Sequence, residues 1–345
     1  MATKQVYFKE SEFLISTIDC NYHNNGKSAC LDIAYGVDQN FLLGCGISIT
    51  SILKFNDNNK LRFHIFIDYF SDTDRKMFDV LAEKYKTRIT IYLISCENLR
   101  TLPSNKNWTY AIYFRFFIAD YFIGKTSQLL YLDADIICQG SIGELINFSF
   151  PGNQVAAVVT EGKSDWWLKR SKSLDTTGIA TGYFNSGFLL INTRQWAAEC
   201  VSTHAIEMLN EPAIIGKVTY PDQDILNILL VGKLHFLDIK FNTQFSLNYQ
   251  LKDKFINPVK NDTVLIHYIG PTKPWHNWAG GYQASNPFIA AKMVSPWKNT
   301  PLLKPVNSNQ QRYCAKHMLR NKKYINGLLS YFLYFIKKLL INTFS

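Results

Sequence analysis

No aspartate or glutamate occurs after Asp262 in this 345-residue chain. Eleven Lys or Arg do, from Lys273 to Lys338, while residues 1–262 hold 26 basic and 27 acidic side chains. The formal charge of +10 therefore belongs to the C-terminal quarter. A surface that serves only solubility mixes both signs, so a segregated basic end points to an anionic partner, a nucleic acid or a membrane surface. There is also no C-x-x-C pair among the seven cysteines (20, 30, 45, 96, 138, 200, 314). An odd, scattered set argues against a disulfide scaffold and a cysteine zinc site, and suits a reducing cytosol. The N-terminus, MATKQVYFKESEFLIS, lacks an apolar stretch, so no secretory signal is expected. The longest uncharged run of the tail, Tyr324 to Ile336, is too short to span a bilayer.

Apolar material is ample: 47% of residues are hydrophobic and 19% charged, the balance of a globular chain with a large core. Strand-like runs alternate with helix-like stretches from residue 31 onward. LDIAYG precedes FLLGCGISITSILKF, LRFHIFIDYF precedes DRKMFDVLAEKY, RITIYLIS precedes YAIYFRFFIADYF, and LLYLDADIIC follows. This alternation predicts an α/β fold with crossover units around a mostly parallel sheet and helices on both faces. In such sheets ligands bind beyond the carboxyl ends of strands. Gly36-Val37-Asp38 follows one strand at such an end and Asp133-Ala134-Asp135 follows another. Residues 1–28 read as a leader with little fold of its own, and 270–311, rich in Pro, Trp and Asn, as an irregular connection.

Three D-x-D triplets occur. Asp72 and Asp74 open a helix, where acids favour the macrodipole. Asp222 and Asp224 also precede a helical run, so capping competes with function there. Asp133 and Asp135 differ, because strand periodicity puts both on one side, where water or a cation alone would neutralise them. Hard oxygen ligands suit Mg²⁺ or Mn²⁺. His267, after the apolar run Val264 to Ile266, is the candidate third ligand. An imidazole beside carboxylates favours Mn²⁺ over Ca²⁺, with Mg²⁺ left open. Gly270, Pro271 and Pro274 make the next segment irregular, and Lys273 there offers a point charge for a phosphate.

Together these residues resemble glycosyltransferase family 8, and within it the bacterial lipopolysaccharide-core glucosyl- and galactosyltransferases. The matching segments are IAYGVDQNFLLGCGISITSIL, FHIFID, YAIYFRFFIADYF, LLYLDADIICQGSI, GYFNSGFLLIN, PDQDILNILL and IHYIGPTKPWH, in family order over about residues 30–280. The tail RYCAKHMLRNKKYINGLL is similar to the closing segment of these enzymes. The resemblance implies a GT-A type nucleotide-diphospho-sugar transferase fold with a C-terminal helical extension. It divides the chain into a leader (1–28), a catalytic domain (29–280) and a basic, membrane-associating extension (281–345). It implies a retaining, UDP-sugar-dependent hexosyltransferase with Asp133, Asp135 and His267 on a divalent metal. Gly36, Val37, Asp38, Gln39 and Asn40 match the uridine-binding loop, although some relatives carry a second Asp at position 39. Arg115 and Ala134 match donor contacts, Asn185, Asp222 and Gln223 match residues around the donor sugar, and Gly270 and Lys273 match the diphosphate turn.

The residues carry bland readings too. Arg115 also suits a pair with Asp120, and Trp166, Trp167, Trp275 and Trp278 suit either the core or sugar stacking. Gln223 is a poor nucleophile, which favours front-face attack with Gln223 stabilising the reacting sugar. The expected acceptor is the lipopolysaccharide core, most simply in α-1,3 linkage, with α-1,2 as the alternative and glucose or galactose as the hexose. The tail reads as an interfacial helix on the anionic inner leaflet, which places the enzyme in the cytoplasm, peripheral on the inner membrane and without a nucleic-acid partner. A glycogenin-like primer protein that glycosylates its own tyrosines is the rival within the fold, and a tail packed on the core is the rival for the extension.

Overall fold

Alternating apolar runs become strands because each face of the sheet is covered. In the computed structural model, which describes residues 7–23, 31–56, 61–103 and 109–343, the first five strands are β1 (Leu14–Asn21), β2 (Leu31–Gly36), β3 (Leu61–Ile67), β4 (Arg88–Ile94) and β5 (Gln128–Leu132). Helix α1 (Leu42–Phe55) joins β2 to β3, α2 (Asp72–Tyr85) joins β3 to β4, and α3 (Phe114–Tyr121) precedes β5. Shorter strands follow: β6 (Ile136–Cys138), β7 (Ala156–Val158), β8 (Phe188–Asn192), β9 (Leu234–Phe236), β10 (Thr243–Gln244) and β11 (Leu265–His267). The later long helices are α4 (Ser164–Ser173), α5 (Val201–Leu209), α6 (Pro221–Leu229), α7 (Asn286–Met293), α8 (Ser308–Arg320) and α9 (Tyr324–Thr343).

The main sheet is ordered β1-β4-β3-β2-β5-β8-β7-β9, and β10-β11-β6 form a smaller one. Strands β2 to β5 pair in parallel, while β1 and β8 join it antiparallel. The chain winds outward from β2 through β3 to β4, then returns on the other side of β2 as β5. That reversal makes the carboxyl ends of β2 and β5 the switch point of the sheet, where open α/β sheets take ligands. Gly36-Val37-Asp38 and Asp133-Ala134-Asp135 leave those two ends. Period-2 alternation sends Ile33, Tyr35, Leu130 and Leu132 into the core cluster shared with α1, α2 and α7. Ala34, Leu129 and Tyr131 go into the other cluster, with α3, α5 and α6. Asp72 and Asp74 take the bland role read for them, since Ser71 and Asp74 form a capping box at the start of α2.

Two sequence readings change, those of the 1–28 leader and of the 270–311 connection. The described part of the 1–28 segment has a fold: β1 pairs antiparallel with β4 from Leu14 to Asn21 as an edge strand. Its half-exposed alternation gave too little apolar signal to be read as a strand. Residue 280 is not a packing boundary either, because Phe288, Ala291, Trp297 and Cys314 belong to the main core cluster. The segment 270–311 accordingly contains α7. Trp275 and Trp278 are core, 2% and 3% exposed. Trp275 meets Phe41 edge-on and Trp278 stacks on His276, so neither offers a face to a sugar. Cys20, Cys45, Cys96, Cys138 and Cys314 are free, and Cys30 lies outside the described residues.

The tail splits between the two readings offered for it. Helix α8 is packed: Gln311, Cys314, Ala315 and His317 are buried. His317 is tied to Asn248 Oδ1 (3.0 Å) and to Tyr282 Oη (2.8 Å), and Thr272 Oγ1 donates to the same Asn248 oxygen (2.8 Å). Helix α9 folds back on α8 at Gly327, yet leaves Ile325, Leu328, Phe332, Phe335 and Leu339 exposed. A chain ending at Gln311 should therefore lose most of its stability, because it uncovers core surface worth several times the roughly 1.5–3 kcal/mol of one buried apolar side chain. A chain ending at Lys323 should melt within a few degrees of the full chain in a calorimetric scan.

Candidate active site

The turn from β5 to β6 is held by neighbours on both sides. The Asp133 N–H donates to Gly187 O ahead of β8 (2.8 Å), and the Tyr268 N–H beyond β11 donates to Asp135 O (3.0 Å). Asp135 is buried and Asp133 is 30% exposed. His267 ends β11, and ligand atoms of Asp133, Asp135 and His267 lie within 4.8 Å of one another. Gly187 is required here, since a Cβ on it would fall 2.5 Å from Asp133 Oδ2 and 2.5 Å from His267 Cε1.

The donor set fits a hard divalent cation. Asp135 Oδ1 is buried without a hydrogen-bond partner. His267 Nε2 lies 3.1 Å from it, but off a hydrogen-bonding direction, and 3.9 Å from Asp133 Oδ2. On the other side of the ring, Nδ1 meets Asn242 Oδ1 at 3.1 Å. An amide oxygen only accepts, so Nδ1 carries the proton and the Nε2 lone pair faces the carboxylates, the arrangement found around metal-ligating imidazoles. Asn242 is in turn oriented by donating to Asn185 Oδ1 (3.1 Å).

Side chains already reach both carboxylates, which corrects the expectation that water or a cation alone would neutralise them. Lys273 Nζ contacts Asp135 Oδ2 and donates to Tyr268 O (2.8 Å). Burial pushes the Asp135 carboxyl up, but the Lys273 ammonium beside it outweighs this and holds the group well below the usual carboxylate range. Arg115 Nη2 donates to Asp133 Oδ1 (3.2 Å), as does Tyr131 Oη (3.0 Å). Arg115 also donates to Ser186 O (2.6 Å) and Ile112 O (2.8 Å) and forms an ion pair with Asp222 Oδ2 (2.9 Å). Three of its five N–H groups are spent in hydrogen bonds and its charge is shared with Asp133 and Asp222, and the pairing with Asp120 does not form. Asp120 instead accepts from Tyr7 N, Phe8 N and Ser202. Gly270 turns the chain at φ +84, a backbone that side-chain-bearing residues rarely adopt, and so brings Lys273 back over the site.

Asn185, Asp222 and Gln223 do come together, with Glu161 among them. Asn185 Nδ2 donates to Glu161 Oε2 (2.9 Å) and to Gln223 Oε1 (3.1 Å). Gln223 Nε2 donates to Glu161 Oε2 (3.0 Å) and Tyr183 Oη (3.1 Å), and its Oε1 accepts from Ser186 N (3.1 Å). Asp222 Oδ2 accepts from Ser186 Oγ (2.9 Å) and pairs with the Arg115 guanidinium. Burial pushes up the carboxyls of Asp222 and Glu161, each against its hydrogen-bond or ion-pair partners. Asp224 is more than a cap: it accepts from Thr219 N, Tyr220 N and Tyr183 Oη and meets Arg170. Trp166 meets Tyr183 edge-on, and Trp167 donates to the Glu161 carbonyl.

At the end of β2, Asp38 caps its own loop by accepting from Asn40 N (2.9 Å) and Thr109 Oγ1 (3.3 Å), and burial raises its carboxyl. Gln39 and Asn40 are exposed beside it, and Val37 is buried. Glu161 and Asn242 were not read from sequence. Glu161 ends the apolar run Val155 to Val159 just before Gly162, a weaker copy of the strand-end acid that marks Asp133. Asn242 carries no comparable signal.

A parallel-centred sheet with a carboxylate–imidazole cluster at its switch point is the framework of GT-A glycosyltransferases. A crystal structure of the galactosyltransferase LgtC with donor and acceptor sugar analogs superposes with a TM-score of 0.65 at 22% identity, over 77% of this chain and 96% of that one. The profile of glycosyl transferase family 8 matches residues 32–279, and that of the family 8 C-terminal region matches 282–338. The chain belongs to glycosyl transferase family 8. The lipopolysaccharide glucosyltransferase WaaO of Escherichia coli (strain K12) is 66% identical over 97% of this chain and 99% of its own length. The lipopolysaccharide 1,3-galactosyltransferase of Salmonella typhimurium (strain LT2) is 55% identical over 97% and 98%.

Because Asn242 sets the His267 tautomer, Asn242→Ala should weaken Mn²⁺ binding by about 10- to 100-fold, and Asp135→Asn should abolish it. Titration calorimetry with Mn²⁺ reads both, and an unchanged affinity in Asn242→Ala removes Asn242 from the site.

Proposed function

We propose that this enzyme moves a hexose from a UDP-sugar onto the lipopolysaccharide core with retention of configuration, in α-1,3 linkage. The observation that carries the reading is the Asp133–Asp135–His267 cluster, set beside Lys273 at the switch point. The names of the relatives supply the acceptor and the linkage. Identity to the 1,3-galactosyltransferase is 55%, against 36% to a lipopolysaccharide 1,2-glucosyltransferase of Escherichia coli. The 66% identity to a glucosyltransferase favours UDP-glucose over UDP-galactose.

Asp133, Asp135 and His267 would hold Mn²⁺ or Mg²⁺, which when bound supplies Lewis-acid stabilisation of charge on the departing diphosphate. Lys273, on its flexible stem, would exchange Asp135 for a phosphate oxygen and add a second positive charge there. Asp38, Gln39 and Asn40 border the other side of the switch point, where the uridine end belongs. Gln223 is spoken for: its amide hydrogens go to Glu161 and Tyr183, and its oxygen accepts from Ser186 and Asn185. Such an oxygen is a weak nucleophile, which supports front-face attack. The acceptor hydroxyl then approaches on the side UDP leaves and gives its proton to a phosphate oxygen.

Helix α9 supplies the membrane contact in this reading. Among the described residues no helix is long and apolar enough to cross a bilayer. Exposed Ile325, Leu328, Phe332 and Phe335 lie between Lys322 and Lys323 at one end and Lys337 and Lys338 at the other, with exposed Leu339 just beyond. Each basic residue at an anionic surface contributes roughly 1 kcal/mol, less as salt rises. This supports a peripheral position on the inner leaflet, reversible by salt.

A donor panel against core-truncated lipopolysaccharide, with linkage analysis, tests the main reading. Transfer of glucose from UDP-glucose in α-1,3 linkage is expected. Loss of transfer in EDTA and recovery with Mn²⁺ or Mg²⁺ should accompany it, and full activity in excess chelator ends the metal role. Added mass on the enzyme itself after incubation with UDP-sugar would favour the self-glycosylating rival. The chain ending at Lys323 should keep transfer to a short soluble acceptor but no longer sediment with phosphatidylglycerol vesicles. Sedimentation equal to that of the full chain would take the membrane contact away from α9.

A further inference from the structure

The cluster around Asn185 and Gln223 leaves one strong acceptor unused. Asn185 is saturated: its amide donates to Glu161 and Gln223, and its oxygen accepts from Asn242 and the Gly187 N–H. Gln223 is saturated in the same way, and Asp222 Oδ2 is held by Arg115 and Ser186. Glu161 differs. Both of its donors, Asn185 Nδ2 and Gln223 Nε2, land on Oε2. No donor among the described residues reaches Oε1, and no Lys or Arg pairs with the carboxylate. A part-buried carboxylate with one anchored and one open oxygen is poised to accept from a ligand hydroxyl, and charge-assisted bonds of this kind are the strong ones.

Its placement follows from the chain of hydrogen bonds that holds it. His267 orients Asn242, Asn242 orients Asn185, and Asn185 orients Glu161. Glu161 therefore stands at a fixed span from the imidazole of the Asp133–Asp135–His267 cluster. Trp167 locks the backbone behind it, donating to the Glu161 carbonyl. A sugar whose diphosphate lies on Asp133, Asp135, His267 and Lys273 projects its ring toward this cluster.

Resting on the donor reading above, we propose that Glu161 Oε1 binds a hydroxyl of the hexose being transferred, so that Glu161 fixes the ring over the Asn185–Gln223 floor. The saturated amides of that floor serve to hold Glu161 in place. The ligand chemistry is a neutral polyhydroxylated ring. The carboxylate also puts negative charge on the side of the ring where positive charge develops as UDP departs.

Glu161→Gln tests this, because its amide oxygen can still accept from Asn185 and Gln223 and so preserves the fold. Calorimetry in Mn²⁺ compares UDP with UDP-glucose and UDP-galactose. UDP should bind the variant as it binds the wild type, while the UDP-hexose accepted by the wild type should bind about 10-fold or more weakly, the loss expected for a hydrogen bond to a charged group. Glu161→Asp should recover part of the loss. A monodeoxy series of that donor supplies the readout a merely structural role would not move. At one ring position, removing the hydroxyl should weaken the wild type but cost the variant nothing further. Full additivity at every position overturns the proposal, as does a variant that loses UDP and UDP-hexose affinity equally. An acceptor KM that rises while donor affinity holds would assign Oε1 to the acceptor and also overturn it. A wild type that binds neither UDP-hexose defeats the donor reading itself, and the proposal with it.

Discussion

Two carboxylates at the end of one strand repel each other, and the site is arranged around that repulsion. At about 4 Å and an effective dielectric near 20, a pair of unit charges interacts with roughly 4 kcal/mol, a large fraction of a domain's net stability. The fold brings a positive group to each aspartate from a different direction: Arg115 from α3 to Asp133, and Lys273 from the loop after β11 to Asp135. Gly187 leaves the space in which Asp133 and His267 approach. Each contact ties a separate segment to the β5–β6 turn, so the same charges that would bind a ligand also draw four parts of the chain together.

The switch point was legible from sequence for a physical reason. Strands β2 and β5 are buried on both faces, so their runs are almost wholly apolar, and the polar residues that end them stand out. Asp38, Asp133 and Asp135 all carry that signature, and His267 carries it after Ile266. The segments that escaped lack it. Strand β1 is an edge with one solvated face, so its alternation is diluted by Ser, Thr, Asp and Asn. Glu161 follows a run of the right kind, but the paired strand is short, and a single acid before glycine reads equally well as a turn. Asn242 is visible only through contacts 25 residues away to His267 and 57 to Asn185. A hydrogen-bond relay of that kind is a property of the folded chain, with no local pattern to mark it.

The C-terminal quarter shows how charge and packing separate along one segment. Its excess of Lys and Arg suggested a unit apart from the core, yet α7 and α8 are core elements, with Phe288, Ala291 and Cys314 among the buried residues. His317 on α8, through Asn248, is linked to Thr272, next to Lys273. The Gly270–Lys273 turn is thus braced from the tail side as well as from β11. Only α9 has the character first read for the whole extension, an apolar stripe between basic ends. The boundary that matters falls between two helices of one hairpin, where a composition average sees no change.

Formal charge across the site links this arrangement to its ligands. Asp133, Asp135, Asp222 and Glu161 face only Arg115 and Lys273 as fixed cations, so the ionised cluster is doubly negative. A diphosphate entering alone would meet like charge, whereas a divalent cation entering first would bring the cluster to neutrality. In the proposed reading Lys273 is the member that a phosphate oxygen would draw from Asp135, while Arg115 is bound on several sides. On the proposed reading, electrostatics would therefore favour the cation before, or together with, the nucleotide sugar, with Arg115 holding the site and Lys273 answering the ligand.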